Sequence, residues 1–567
     1  MADNTWPHPF ASSNEAVVPA MPTSSSRYPP TEASKYSQEA DEDRITPVPP
    51  VEQNKDNTAT REEEQYKTSE EERKDAATNI VPFATDLERN VESGVYVLDE
   101  AAYRLKHGLH PEVVVKKTKD GKKVLIPQPT DSRDDPLNWP RTQKMAILVM
   151  LVVNAFTADY AAATGTSAIV AQAEEWQISP DKVNHATAGN TFMLGVGGLV
   201  AVWLSAGLVA AAAKSFESYM AARIINGFFC VAATAGGLMW INDVWFFHEH
   251  PRKINIWSTA IILSPFLGPQ FMAAILSVTG WRVGMWLCFG IIMLGVVTTV
   301  AVGEETFYPR HLHADNAPQR KSRLMRLIGV EQCRDHWTTN TFLESGTRLV
   351  KTISRLPVLL VCIFYLFDFA WTIANNTTIS ALIIPTYNFN YRALAAIYAA
   401  PVVGALLGLA AGHFLFDLLG AHQARHYNGK TEPEDRLLIL CFITPFKVLG
   451  FVLIGSTLED HESYWILAVG WTLHTCTTVI TTTAVGAYLI DAYPEASGEC
   501  AAWLNFARTL GGFIVGYFQL NWVNAQGSEG VFLIEASITA AAFVLAIGLG
   551  LRGKKWRRGG TLAFKTC

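Results

Sequence analysis

The chain is poor in charge: 17% of its 567 residues are Asp, Glu, Lys or Arg, against about 25% in ordinary globular domains. Its formal charge of −6 comes mainly from an acidic surplus in the first 110 residues, which offers nucleic acid no basic surface, and no nucleic-acid partner is expected. None of the eight cysteines lies in a Cys-x-x-Cys pair or a metal-ligand pattern, so neither a metal cofactor nor thiol chemistry is expected. Cys567 is the last residue, which leaves no prenylation box. A phosphate-binding Gly-x-x-x-x-Gly-Lys-[Ser/Thr] loop is also missing, so no step runs on ATP hydrolysis. Without a zinc-ligand cluster or nucleophile elbow, no enzyme is expected. The opening residues lack the basic and apolar regions of a signal peptide, and the Ser/Thr/Pro/Glu-rich stretch through Ala77 reads as a disordered cytosolic tail.

What is abundant is apolar length. The sequence is 49% hydrophobic, with 16 Trp, 29 Phe and 40 Gly. Runs of about 20 apolar residues, the length that crosses a bilayer as a helix, occur near 145–171, 187–213, 219–241, 254–277, 281–302, 357–384, 393–416, 437–456, 465–489, 500–523 and 530–551. This is an all-α polytopic membrane protein with eleven visible spans. The expected organisation is an acidic tail (1–130), an N-terminal helix bundle (131–303), a basic linker (304–356), a C-terminal bundle (357–551) and a short tail (552–567). Arg310, Arg320, Lys321, Arg323 and their neighbours place the linker in the cytosol, as do Arg133, Arg141 and Lys144 before the first span and Arg552–Arg558 after the last. Both termini are therefore expected to be cytosolic. That parity requires an even number of spans in the first half, which shows five. The conflict localises to 184–218, about 35 residues, too few for two full spans and a turn.

Several motifs carry a resemblance. Asp135-Pro-Leu-Asn-Trp-Pro140, Ala222-Arg-Ile-Ile-Asn-Gly227, the Asp243–Arg252 loop, Ser264-Pro-Phe-Leu-Gly-Pro269, Gly280-Trp-Arg282, Glu305-Thr-Phe-Tyr308, Asp491-Ala-Tyr-Pro494 and Asn505-Phe-Ala-Arg508 resemble the fungal drug:proton antiporter branch of the major facilitator superfamily, the twelve-span DHA1 type. The resemblance covers about residues 130–555 and implies two six-helix bundles, a central cavity and alternating access. It also implies a Gly-Arg-Arg-type basic turn between spans two and three. Here Ala201–Lys214 runs through without one, as if one span were lost.

Polar residues inside the runs are costly and mark functional candidates. Asp159, in the first run, suits proton exchange or a cationic substrate, or else a structural hydrogen bond. Arg223 begins an Arg-x-x-x-Gly pattern that the resemblance ties to proton coupling. A guanidinium keeps its proton, so it would act by tuning a partner carboxylate; the plainer reading is a snorkelling Arg near a span end. Gly268 and Pro269 match the antiporter signature and form a packing seam, but Gln270-Phe-Met-Ala follows in place of the usual glycines. Asp368, Trp371 and Asn375 share one helix face that suits an amphipathic organic ligand, or an aromatic and polar packing seam, and Asp368 is expected to face the central cavity or the other half. His474 lies among threonines and suits a proton relay or plain packing. Asn505 and Arg508 match the polar pair of the eleventh family span, expected to hold the halves together at the cytosolic side.

These features imply a monomeric, multi-pass plasma-membrane protein that exports a small organic molecule, a drug-like compound or secondary metabolite, on a proton gradient. Proton-symport uptake of a polyamine or other organic solute fits the same fold. The short 184–218 interval leaves open a non-transporting remnant or sensor.

Overall fold

The computed structural model describes residues 96–110, 114–200, 215–308, 322–327, 330–331, 342–426 and 430–557. Ahead of the membrane body come a short strand, Tyr96–Val97 (β1), and a helix, Glu100–His107 (α1), started by the Asp99 carboxylate on the Ala102 amide and stopped at Gly108 in the left-handed region. Tyr96, Val97, Leu98, Tyr103, Val115, Val124 and Ile126 form a small core with Phe247. The described residues between Tyr96 and Ile126 are thus folded, which corrects the expectation of a disordered tail for that part of 1–130. Local composition is acidic and polar, but seven apolar side chains spaced along it find a shared burial site under the bundle.

Asp135–Pro140 then builds the entry to the membrane body. The buried Asp135 carboxylate accepts from the Leu137 amide and from the amide and hydroxyl of Thr130, each at 3.0 Å. Pro136 and Pro140 fix φ and have no amide to satisfy. The first half follows: Arg141–Ala163 (α2), Ile169–Trp176 (α3), Pro180–Val200 (α4), Phe216–Cys230 (α5), Ala232–Val244 (α6), His250–Leu276 (α7) and Trp281–Val302 (α8). An amphipathic helix, Phe342–Ile353 (α9), precedes the second half. That half contains Leu356–Tyr387 (α10), Tyr391–Ile397 (α11), Ala399–His426 (α12), Ile439–Glu459 (α13), Tyr464–Ala492 (α14), Ser497–Gln526 (α15) and Ser528–Arg557 (α16). Between α12 and α13, Lys430–Thr431 (β2) pairs antiparallel with β1, Tyr96 opposite Thr431.

Among the described residues, nine helical stretches are long and apolar enough to cross a membrane. α4 and α15 are not among them, and these two pack on each other between the halves. α6 also lies on α15, and α7 lies on α12 and α14.

The directions of the helices bear on the parity problem. Asn242 at the end of α6 donates to Pro494 O beside the start of α15, at the end of the bundle that also holds His250, Arg252 and Arg436. Trp176, Tyr219 and Trp281 cluster at the opposite end, with ring centroids 5.3–5.8 Å apart. α5 and α6 therefore run toward the basic end. So does α4: Asn184 meets Gly516 O, and ten residues on Leu194 O accepts from Asn505, antiparallel to α15. α4 and α5 are thus parallel neighbours, so close that a Cβ on Gly227 would lie 2.4 Å from Asn190 O. The sixth passage that charge parity requires would fall between these two helices, on residues outside those described. The expectation of a missing basic turn falls on 201–214, outside the described residues.

Candidate functional site

Asp159 lies deep in α2, and Arg508 reaches it from α15 of the other half. Arg508 Nη1 and Nη2 donate to Asp159 Oδ1 and Oδ2 at 3.1 and 2.9 Å. This fork-to-carboxylate pairing combines charge with fixed geometry. The arginine is oriented by Asn505, whose Oδ1 accepts from its Nε and Nη2, and it sits 5.5 Å from the Phe369 ring. Asn505 in turn donates to Leu194 O of the first half. Both charges are buried. A buried pair of this kind holds while both partners are present and ionised, and it costs heavily when one is lost.

Arg223 has different partners from those expected. Its guanidinium donates to the carbonyls of Ala161 and Ala162, which end α2 and lack intrahelical donors. It caps a helix and contacts no carboxylate among the described residues. Gly268 lets α7 approach the α2–α3 junction, where a Cβ would stand 3.0 Å from Tyr160 O and 3.1 Å from Thr164 N. Pro269 has no amide, which leaves Pro265 O without its helical donor. Asn376 of the second half donates to that oxygen at 2.8 Å. The Gly-Pro seam is therefore also a contact between the halves.

The face of α10 that carries Asp368 and Asn375 is turned into its own half, which corrects the expected cavity-facing placement of Asp368. Asp368 Oδ2 accepts from Lys447 of α13 at 2.6 Å. One turn on, Thr372 Oγ1 meets His474 Nε2 of α14 at 3.1 Å. Asn375 donates to Glu535 of α16 at 3.3 Å, and Gln519 of α15 donates to the same carboxyl at 2.6 Å. Asp368, Thr372 and Asn375 each meet a polar residue on a neighbouring helix, so burial inside the half costs less than exposure to lipid. Trp371 is buried in the same core.

At the basic end, Asp491 joins the halves. His250 Nδ1 of the first half lies 3.1 Å from one oxygen and Arg436 Nε of the second half lies 3.0 Å from the other. Tyr96 caps the Asp491 carbonyl at 2.7 Å and stacks on Phe247 at 4.0 Å, while Phe247 N donates to Ile126 O. Arg252 of α7 and Asp417 of α12 add a forked pair at 2.7–2.8 Å. The sequence reading passed over Lys447, Glu535 and Gln519. A signal was present: Lys447 and Glu535 are each the sole charged residue of an apolar run.

A two-half helical membrane protein with polar contacts concentrated on the seam has the architecture of a transporter. Residues 147–516 match the family described as Major Facilitator Superfamily, and the chain belongs to that family. It is 23% identical over 560 residues to Protein HOL1 of Saccharomyces cerevisiae, covering 81% of this chain and 94% of that one. It is 25% identical over 372 residues to a probable efflux pump, mfs2, of Aspergillus flavus, covering 63% and 84%. The solved structure of the proton:xylose symporter XylE aligns with a TM-score of 0.51 at 11% identity, over 72% of this chain and 96% of that chain, a likeness of fold.

Proposed function

We propose that this transporter exports a small organic molecule across the plasma membrane in exchange for protons, with its basic end in the cytosol. The carrying observation is the Asp159–Arg508 pair, which ties one half to the other inside the protein. Alternating access requires the halves to part on one side at a time, and this pair opposes that parting. A proton taken up by Asp159 removes the charge that holds Arg508, and the seam loosens. An organic cation competing for Asp159, or an anion competing for Arg508, acts at the same point. The names of relatives that are efflux pumps support the outward direction.

Expression in a pump-deficient yeast, scored against a panel of drug-like compounds, tests the proposal. Expected are resistance to a subset of compounds, its collapse with a protonophore, and its loss in Asp159→Asn at unchanged membrane abundance. Resistance that persists in Asp159→Asn and with the protonophore would overturn proton coupling, and no resistance to any compound would overturn drug export.

A further inference from the structure

We propose that the second half holds a proton-binding site at Glu535, separate from the Asp159–Arg508 pair; as a coupling element it rests on the proton-driven reading above. Glu535 is fully buried about one-quarter of the way along α16. Its carboxyl has two neutral amide donors, Gln519 Nε2 on Oε1 at 2.6 Å and Asn375 Nδ2 on Oε2 at 3.3 Å. Gln519 also donates to Asn375 Oδ1 and accepts from Thr378 at 2.8 Å, so the amides are held in place. The other buried carboxylates on helices of this half, Asp368 and Asp491, each contact a Lys or Arg, as does Asp159 across the seam. Glu535 alone of these four is given no cation among the described residues. A carboxylate deep in an apolar medium with amide donors only is not sustained as an anion, and the species that occupies the missing cation's place is a proton.

The surroundings suit a site that loads and unloads. On α10, Asp368, Thr372 and Asn375 lie along one face over about 10 Å of helix rise. Lys447 of α13, His474 of α14 and Glu535 of α16 meet that face in turn. α15 contributes the amide Gln519 here, its Arg508 being committed to Asp159, and the Glu434 carboxylate before α13 is held by Arg557 at the basic end. His474 is 1% exposed, and among the described residues its Nδ1 has no hydrogen-bond partner. The step is a simple one: an O–H bond forms on a Glu535 oxygen, and the same proton leaves when the half opens to the other side.

Infrared spectra of the detergent-purified full chain, taken between about pH 5 and 8, test the site. Expected is a protonated-carboxyl component that titrates in the wild type and in Asp159→Asn, is lost from Glu535→Gln while that of Glu495 stays, and titrates with a displaced midpoint in Glu535→Asp, which keeps the carboxyl if the amide variant folds poorly. A band that stays constant over the whole range would make Glu535 a permanent structural donor and overturn the proposal. Coincident spectra of wild type and Glu535→Gln would overturn it as well. The yeast resistance assay reads the transport function independently and can fail while the Glu535 band still titrates.

Discussion

Asp159 in the first half and Asp368 and Glu535 in the second find their partners in opposite directions. In the first half, Asp159 reaches across the seam to Arg508, and Asn184, Asn242, His250, Arg252 and Asn255 also bond to the second half. In the second half, Asp368 with Lys447, Thr372 with His474, and Asn375 with Gln519 and Glu535 close on one another. Packing follows the same division. The most apolar stretch of α8, last helix of the first half, is 17% buried, against 39% for α16, last helix of the second. α13 is packed against both α14 and α16. The second half is thus a self-contained scaffold, and the first half is completed by leaning on it.

The sharpest way to break this contrast is to remove a charge inside the scaffold. Lys447→Met leaves Asp368 buried without its cation, and the expected loss is about 3–5 kcal/mol, read as a lowered melting temperature and a lower yield of monodisperse protein. Adding Asp368→Asn should recover most of it. A single variant as stable as the wild type would show that the Asp368–Lys447 pair does not hold the second half together.

Trp371→Ala comes next. Because Trp371 is 4% exposed inside the core, truncation opens a cavity costing about 3 kcal/mol, and the amount of folded protein falls along with activity. Altered drug selectivity at full abundance would instead return Trp371 to the substrate path. A smaller stability effect, about 1–2 kcal/mol, is expected for Asp159→Asn, since an amide still accepts one hydrogen bond from Arg508. Its effect on proton-driven transport is expected to be complete, which separates seam from scaffold by comparing melting temperature with transport in one preparation.

Much of this was legible in the sequence, and the limits are physical. Apolar length gives the helices, because lipid permits little else, and the Asp135 and Pro269 motifs act through local backbone chemistry that adjacent residues define. Helix periodicity places Asp368 and Asn375 on one face but is silent on which neighbour that face meets, since Lys447 and Glu535 lie 79 and 160 residues away from their partners. Arg223 was read as tuning a partner carboxylate or as snorkelling near a span end; its partners are backbone carbonyls, which no side-chain pattern announces. The ordered segment from Tyr96 was hidden for the same reason, as its core is completed by Phe247 and its strand by Lys430–Thr431.

The loops at the basic end extend the comparison outside the membrane. Each half joins two helices there by a three-residue turn, Phe247–Glu249 in the first and Pro494–Ala496 in the second. Burial raises the Glu495 carboxyl from 4.5 to about 7, with the Glu499 charge adding to it and Arg348 working against it, and among the described residues Oε2 has no hydrogen-bond partner. The folded chain thus holds this proton more tightly than the unfolded chain, so stability is lost as pH rises from about 4.5 through 7. Glu495→Gln removes that loss. Wild type and variant are expected to melt together near pH 4, and the variant to be more stable above pH 7 by about 1 kcal/mol, below the 1.36 kcal/mol per unit of the full shift because the residue is partly exposed. Melting curves of the solubilised protein at several pH values decide it. Parallel curves for the two proteins across the range would mean that solvent reaches the carboxyl and that this turn is as open as an ordinary surface loop.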